Sequence, residues 1–554
     1  MKKNKALIIG SRGSDLALWQ ANFVLSELKK IGIPAEIKII KTQGDVVQLG
    51  WDKLEGKGFF TKEIEDALLN KEIDLAVHSH KDLPTGKSKG LIIGAVSERE
   101  DPSELLLINK NVVDEKEKFF LKKNARIGTS SARRKTQILA WREDVKVEDL
   151  RGNVPTRIQK LRDHKYDAVL IANAGVARLD LKAPAGSPHA GTSVYEEFCS
   201  LILSPKEFIP APAQGVLAIQ VREEDNDLIG KLKEINCQGV SETIGIERKI
   251  LSLFEGGCQL PLGVYCEKEE NQEGEMIYKV RVAKAENFPV PQKSVKTTKE
   301  MSQGISYPKY FYFESRKEEG FAERIVDRIK GFKPSSVFIS RDEKRDDFLK
   351  KGLLASGCSV TFQSLIETKP VPFKIRNRPD WIFFSSKNAV KYFFSQHPEI
   401  GPAKLGAVGR ATADEIRKCG KRAEFIGNSD DTRMTGKKFS ALVGNSVVLF
   451  PQAKQSMKTI QLQLPRRENV IDIVVYETIK NPEFKSEDKN FEVLVFTSPS
   501  NVETFFEKNK INGNQKVVAM GDSTSNALRK MGVRANKMAP SFDDLGLLMA
   551  VLSL

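Results

Sequence analysis

Long apolar runs are missing from this sequence. Across its 554 residues no hydrophobic stretch approaches the roughly 18 residues that a membrane-spanning helix needs. The first residues, MKKNKALIIGSRGSD, carry early lysines, but the apolar core ALII is too short for a signal peptide, so a cytoplasmic protein is expected. Cysteine is scarce. The six present (Cys199, Cys237, Cys258, Cys266, Cys358 and Cys419) are scattered, and no two stand in C-x-x-C spacing. That argues against a disulfide framework and a zinc site, and in a reducing compartment it leaves free thiols. Nucleotide signatures are missing too. GKS at 86–88 lacks the leading glycine of a P-loop because position 81 is lysine, and no G-x-G-x-x-G follows a strand. Apart from Trp141, aromatics do not interleave with the densest basic segment, which weakens the case for single-stranded nucleic acid. No metal, no nucleic acid and no membrane are therefore expected.

Charge is plentiful and unbalanced. Lys and Arg number 88 against 73 Asp and Glu, a formal net of +15. Such an excess suits an acidic partner or a polyanionic small molecule, although a basic surface kept for solubility would look the same. The residues alternate between two periods. ALIIG (6–10), AEIKIIKT (35–42) and DLAVHS (74–79) read as strands, and 15–32 and 61–71 as helices, with Leu18, Ala21, Leu25 and Leu28 at helical spacing. This alternation predicts α/β domains with mostly parallel sheets, whose ligands bind beyond the carboxyl ends of the strands. Between 126 and 162 ten Arg or Lys stand against four acids. There GTSSARR follows a short strand and opens a helix. Thr129, Ser130 and Ser131 then fall where a helix N-terminus binds anions, and Arg133 and Arg134 extend the site with planar, bidentate donors. A solvated helix face is the plainer reading of such a run.

HSHKDLP (78–84) ends a strand and places an Asp beside a Lys, a fitting general acid/base or charge stabiliser, or else only a surface turn. Its two histidines lack a third ligand at metal-binding spacing. FEGGCQLPLG (254–263) puts Cys258 behind two glycines, where the backbone has little side-chain cover. A buried structural thiol is the commoner fate of a lone cysteine.

In order, GSRGSDLALWQA (10–21), KTQGD (41–45), GKGFFTKEIEDAL (56–68), HSHKDLP, IGTSSARR (127–134), LRGNVPTRIQKL (150–161), NAGVARL (173–179) and EGGCQLPLG make residues 5–330 resemble hydroxymethylbilane synthase, also called porphobilinogen deaminase. His80 stands where that family usually has Met, and Ala213 in APAQG where it usually has Gly. The resemblance implies a dipyrromethane cofactor joined to Cys258 through a thioether. It implies that four porphobilinogen units are added with loss of ammonia and that hydroxymethylbilane is released by hydrolysis. It implies that Asp82 stabilises the positive charge of the developing azafulvene, assisted by Lys81. The cofactor would be held by Ser14, Lys81, Asp82, Thr129, Ser130, Ser131, Arg133, Arg134 and Arg151. Substrate carboxylates would meet Arg12, Arg157 and Arg178, and Phe60 would lie in a mobile lid. The implied architecture is two α/β domains like those of periplasmic binding proteins (1–100 with 204–225, and 101–203), plus a small α+β domain bearing the cysteine (226–330).

The remaining residues contain an internal repeat. FFSSKNAV (383–390) matches VFTSPSNV (495–502), and AVGRATADEIRKCG (407–420) matches AMGDSTSNALRKMG (519–532), both at an offset of 112. Two similar α/β domains are expected. A generic flavodoxin-like duplication would satisfy the repeat, but DWIFFSSKNAV, VYET, VFTSPSNVETFF and GDSTSNAL in this order resemble uroporphyrinogen-III synthase. The resemblance implies two flavodoxin-like or Rossmann-like domains (334–368 with 481–554, and 369–480) and cyclisation of hydroxymethylbilane with ring D inverted. Tyr476 would assist loss of the hydroxyl or be only a packed aromatic. Thr412, Ser498, Ser500 and Thr524 would bind carboxylates from loops facing the cleft. The expected whole is a monomeric bifunctional tetrapyrrole enzyme acting on porphobilinogen and hydroxymethylbilane. The alternative gives the C-terminal part a non-catalytic tetrapyrrole-binding or regulatory role.

Overall fold

The structure is a computed structural model describing residues 6–42, 61–86, 88–184, 190–255, 260–271, 273–286, 307–428, 432–456, 458–481 and 491–554. Cys258 and Phe60 lie outside the described residues. The chain divides into two compact units, with the break between Lys333 and Pro334. Among the described residues no helix is long and apolar enough to cross a membrane.

The first unit opens with β1 (Leu7–Ser11), helix α1 (Asp15–Lys30) and β2 (Ala35–Ile39). Ser14 caps α1 by accepting from the Ala17 amide. Gly32, at φ 75°, ends the helix where a side chain would be strained. The buried face of α1 is Gln20, Ala21, Val24 and Leu28. Leu18 and Leu25, expected in that row, are only half-buried, because Val24 fills the position against the sheet. Helix α2 (Lys62–Leu69), β3 (Leu75–Ser79) and β4 (Leu91–Val96) follow.

The chain then crosses to a second sheet. It forms β5 (Glu104–Ile108), β6 (Arg126–Gly128), helix α3 (Ala132–Trp141), β7 (Lys146–Glu148), helix α4 (Val154–Arg162), β8 (Ala168–Ala172) and β9 (Cys199–Leu203). It returns to the first sheet as β10 (Leu217–Arg222). The sheet orders are β2-β1-β3-β10-β4 and β7-β6-β8-β5-β9. In each, four strands point one way and the strand arriving from the other sheet runs antiparallel between its neighbours. The sheets are therefore mixed, mostly parallel in direction with one reversed strand each. The two crossings reverse the direction in which β5 and β10 enter, which periodicity along the chain cannot show.

Helix α5 (Gln238–Leu253) then leads to an antiparallel sheet of β11 (Leu262–Glu270), β12 (Met276–Lys284) and β13 (Lys309–Ser315). Buried Glu247 ties α5 to its surroundings. Its carboxylate accepts from Arg99 at 2.7 and 3.2 Å, the Ala213 amide at 2.6 Å and the Cys266 amide at 2.7 Å.

In the second unit one five-stranded sheet takes strands from 336–362 and 493–538, all parallel. A six-stranded sheet is built within 366–480, parallel except at its Ile366–Pro370 edge. The sequence repeat is visible as repeated geometry. Helix α6 (Lys387–Phe394) is capped by Ser386 and helix α8 (Pro499–Phe506) by Ser498, at φ −158° in both, with ψ 157° and 159°. Helices α7 (Arg410–Lys418) and α9 (Asp522–Lys530) occupy the other pair of repeated positions.

Candidate active site

β3 ends at Ser79 in a single short turn, His80–Asp82, that presents Lys81 and Asp82. Asp82 is exposed, whereas Lys81 is half-buried and donates from Nζ to Gln214 Oε1 at 3.2 Å. Gln214 lies in the segment returning to β10. Its Nε2 donates to Pro102 O at 2.8 Å and Glu104 Oε1 at 3.1 Å. Glu104, the first residue of β5, is fully buried. Its two oxygens accept from Arg133 Nη2 at 2.6 Å and Arg134 Nε at 2.9 Å.

Burial would raise the Glu104 pKa, but Arg134, Arg133 and Lys81 outweigh it and hold the carboxyl at about 2. Lys81 shifts the other way, to about 8. Burial is the main cause, and Arg134 and Arg133 add to it against the favourable charges of Asp82 and Glu104. Arg157, on α4, is brought down to about 10 by burial and by Arg134, with Asp82 opposing. These shifts place Lys81, Asp82, Arg133, Arg134 and Arg157 in one electrostatic neighbourhood. Four of them are cations, and the neighbourhood's two carboxylates are Asp82 and Glu104.

The other expected residues are placed as follows. Ser131 caps α3 through the Arg134 amide. Ser130 donates to Leu150 O and accepts from Leu150 N, both at 3.0 Å, and Thr129 is buried. Arg133 and Arg134 are buried, and beyond Glu104 they bond Ile209 O and Leu170 O at 3.0 and 3.1 Å. Arg178 is buried too, donating to Glu100 at 3.2 Å and Gly215 O at 2.9 Å. Gly215 is required there, since a Cβ would stand 2.3 Å from Glu100 O at a φ of +91°. These three arginines have internal partners, a geometry that differs from an open carboxylate site. Arg12 is half-buried just beyond β1, Arg151 is exposed, and Arg157 anchors itself through Nε to Gly152 O at 2.8 Å. Glu104 and Gln214 had no role in the sequence reading. Their partners lie 29, 30 and 133 residues away, and no spacing rule signals such pairs.

His78 is bonded to Gln220 Oε1 at 3.1 Å, and burial brings it down to about 4. His80 is brought to about 3, by burial first and then by Arg248 and His78. Among the described residues no cluster of three or more His, Cys, Asp or Glu could hold a metal ion.

In the second unit Tyr476 is buried, with its hydroxyl 3.3 Å from Ser386 Oγ and its ring stacked on Tyr392 at 5.4 Å. It lies inside the strand Val470–Lys480, beside a register shift at Gln452/Ala453, and not at a strand end. Burial raises its pKa. Thr412, Ser500 and Thr524 sit in the first turns of α7, α8 and α9 rather than on loops, and Thr412 and Thr524 are buried. The helices start one or two residues before these positions, because the extended residues Gly409, Ser498 and Gly521 serve as their N-caps.

Residues 7–230 match the family model described as "Porphobilinogen deaminase, dipyromethane cofactor binding domain". The porphobilinogen deaminase of Oceanobacillus iheyensis is 37% identical over 329 residues, 59% of this chain and 98% of that protein. That of Bacillus subtilis is 42% identical over 275 residues, 49% of this chain and 82% of the relative.

The chain belongs to the porphobilinogen deaminase family.

Residues 347–548 match the model described as "Uroporphyrinogen-III synthase HemD". A solved uroporphyrinogen-III synthetase from Helicobacter pylori covers 40% of this chain and 99% of its own length, at 18% identity and a TM-score of 0.31. The assignment of the second unit rests on the family match and not on that likeness. With a porphobilinogen deaminase module followed by a uroporphyrinogen-III synthase module, the chain is a bifunctional enzyme of haem biosynthesis.

The matched deaminase domain is one that binds a dipyrromethane cofactor. The residues present fit such a group. Lys81 and Arg157 are held below their ordinary pKa by burial among like charges. Carboxylates of an incoming pyrrole would relieve that repulsion.

Proposed function

We propose that the first unit joins porphobilinogen units at the turn carrying Lys81 and Asp82, and that Cys258 bears the dipyrromethane. When bound, that group supplies the nucleophilic pyrrole to which the chain is added. The observation that carries this reading is an exposed Asp82 beside the Lys81/Arg157 cluster, whose positive charge is only partly offset. Asp82 faces the positive charge that develops on the substrate as ammonia leaves, and an anion placed there lowers the barrier. Arg12, Arg151 and Arg157 take the acetate and propionate groups. Arg133, Arg134 and Arg178 shape the site from behind, because Glu104, Glu100 and backbone carbonyls already engage them. Ser14, Thr129, Ser130 and Ser131 then act chiefly by fixing the starts of α1 and α3.

The second unit closes the linear tetrapyrrole with ring D inverted. Tyr476 assists departure of the hydroxyl, and Thr412, Ser498, Ser500 and Thr524 receive carboxylates at three helix starts. We take the domains as 1–100 with 204–225, 101–203, 226–330, 334–368 with 481–554, and 369–480, in a cytoplasmic protein. The test is to supply the full chain with porphobilinogen and separate the product isomers. Uroporphyrinogen III is expected. Formation of the type I isomer alone by folded protein would make the second unit a binding or regulatory module instead.

A further inference from the structure

The turn that presents Lys81 and Asp82 is tied to the returning strand by His80 N, which donates to Val216 O at 2.9 Å, and by Lys81 Nζ on Gln214, but Leu83 and Pro84 beyond it are held otherwise. The turn itself contains one backbone bond, Leu83 N to His80 O at 3.3 Å, and no side-chain cap. Support comes from α5. Arg248 Nη1 donates to His80 O at 3.0 Å and Leu83 O at 3.2 Å, and Nη2 donates to Leu83 O at 3.2 Å and Pro84 O at 2.6 Å. One guanidinium thus grips the backbone on both sides of Lys81 and Asp82. A planar fork with fixed donors on two nitrogens suits this task better than a lysine ammonium, whose three donors rotate about a single nitrogen. The His80 side chain adds no tether, since it is buried with no hydrogen-bond partner for Nδ1. α5 is also the helix from which the chain runs on to Cys258, five residues beyond its last residue, Leu253.

We propose that Arg248 is a positioning residue for ammonia loss, fixing the turn that carries the Asp82 carboxylate against α5. Its role in the reaction is exerted through the turn whose carbonyls it holds. The proposal rests on the reading of Asp82 as the group that stabilises the developing charge. Displacing such a group by about 1 Å costs on the order of 100-fold in rate.

The test is a double-mutant cycle on the full-length holoprotein, with cofactor loading checked by intact mass. Single-turnover pyrrole incorporation is followed in wild type, Arg248→Gln, Asp82→Asn and the double variant. Arg248→Gln is expected to lower the single-turnover rate by about 10- to 100-fold, with KM changed less than about threefold. In the Asp82→Asn background the same substitution should change the residual rate less than about twofold, because the group it positions is already gone. Equal losses in both backgrounds, or a wild-type rate for Arg248→Gln, overturn the role of Arg248. A full rate for Asp82→Asn alone is a separate result, which removes Asp82 from the reaction and the positioning role with it. If Arg248→Gln does not fold, Arg248→Lys carries the same comparison, since it keeps the charge and bulk but not the fork.

Discussion

Glu104 and Arg133 meet at 2.6 Å with side chains only 0% and 6% exposed, and Arg134 closes on the second carboxylate oxygen at 2.8 Å. Removing this anion would leave two buried cations facing each other. Glu104→Gln should therefore destabilise the first unit by about 3–5 kcal/mol, read as a lower urea midpoint. The acid side follows from the same contact. The folded carboxyl titrates at about 2 against an ordinary 4.5, so its stabilisation is complete above about 4.5 and is lost as pH falls toward 2. In Glu104→Gln that part of the acid sensitivity should vanish. An unchanged midpoint would show that the cluster is not under electrostatic load.

Ala213 is fully buried and sits at φ 60°, in the left-handed region that glycine occupies without penalty. The alanine noted as a departure in APAQG therefore stands in a glycine conformation. Ala213→Gly should stabilise the protein by about 1 kcal/mol and leave turnover intact. A lower melting temperature would mean that the alanine methyl contributes more in packing than its backbone costs.

Lys81 should impose a basic limb on catalysis. Burial and the nearby arginines bring its pKa to about 8, so it is charged below that pH and neutral above. As pH rises through about 8, kcat/KM for porphobilinogen should fall because a carboxylate partner is lost. Lys81→Met should have a lower kcat/KM throughout and lack that limb. A limb that persists in the variant belongs to another group.

Cys258 should carry the mass of two linked pyrroles in the isolated protein, and Cys258→Ala should abolish turnover. Cys266 provides the control. It is buried, and burial pushes its thiol far up, so it is a poor nucleophile. Cys266→Ala should keep turnover while losing some stability. An unmodified Cys258 in folded, active protein would contradict the attachment.

Tyr476 and Ser386 should act together in the second unit. Tyr476→Phe is expected to shift the product toward the type I isomer, and Ser386→Ala to do so less, since it removes only the partner 3.3 Å away. Both variants should fold, because the ring of Tyr476 stays stacked on Tyr392. A wild-type isomer ratio in Tyr476→Phe would leave the tyrosine a packing residue.

What the sequence by itself determined about this protein is whatever is encoded within a turn or two of chain. The helix starts after Ser14 and at Ser131 were legible because a cap needs only the next three residues, whereas the caps Ser386 and Ser498 went unread. The repeat at 112 and the order of the eight motifs were legible because they are spacings. Tertiary structure decided everything that depends on partners far apart in the chain. It reversed one strand in each of the first unit's mostly parallel sheets by passing β5 and β10 across. It set Arg133 and Arg134, expected at the cofactor, on Glu104, and Arg178, expected at the substrate, on Glu100. It also joined Lys81 to Gln214 across 133 residues and Ser386 to Tyr476 across 90. The physical reason is that an arginine looks the same in a sequence whether it will face water or a buried carboxylate. Burial and a distant counter-charge decide between those fates, and both exist only once the chain has closed on itself.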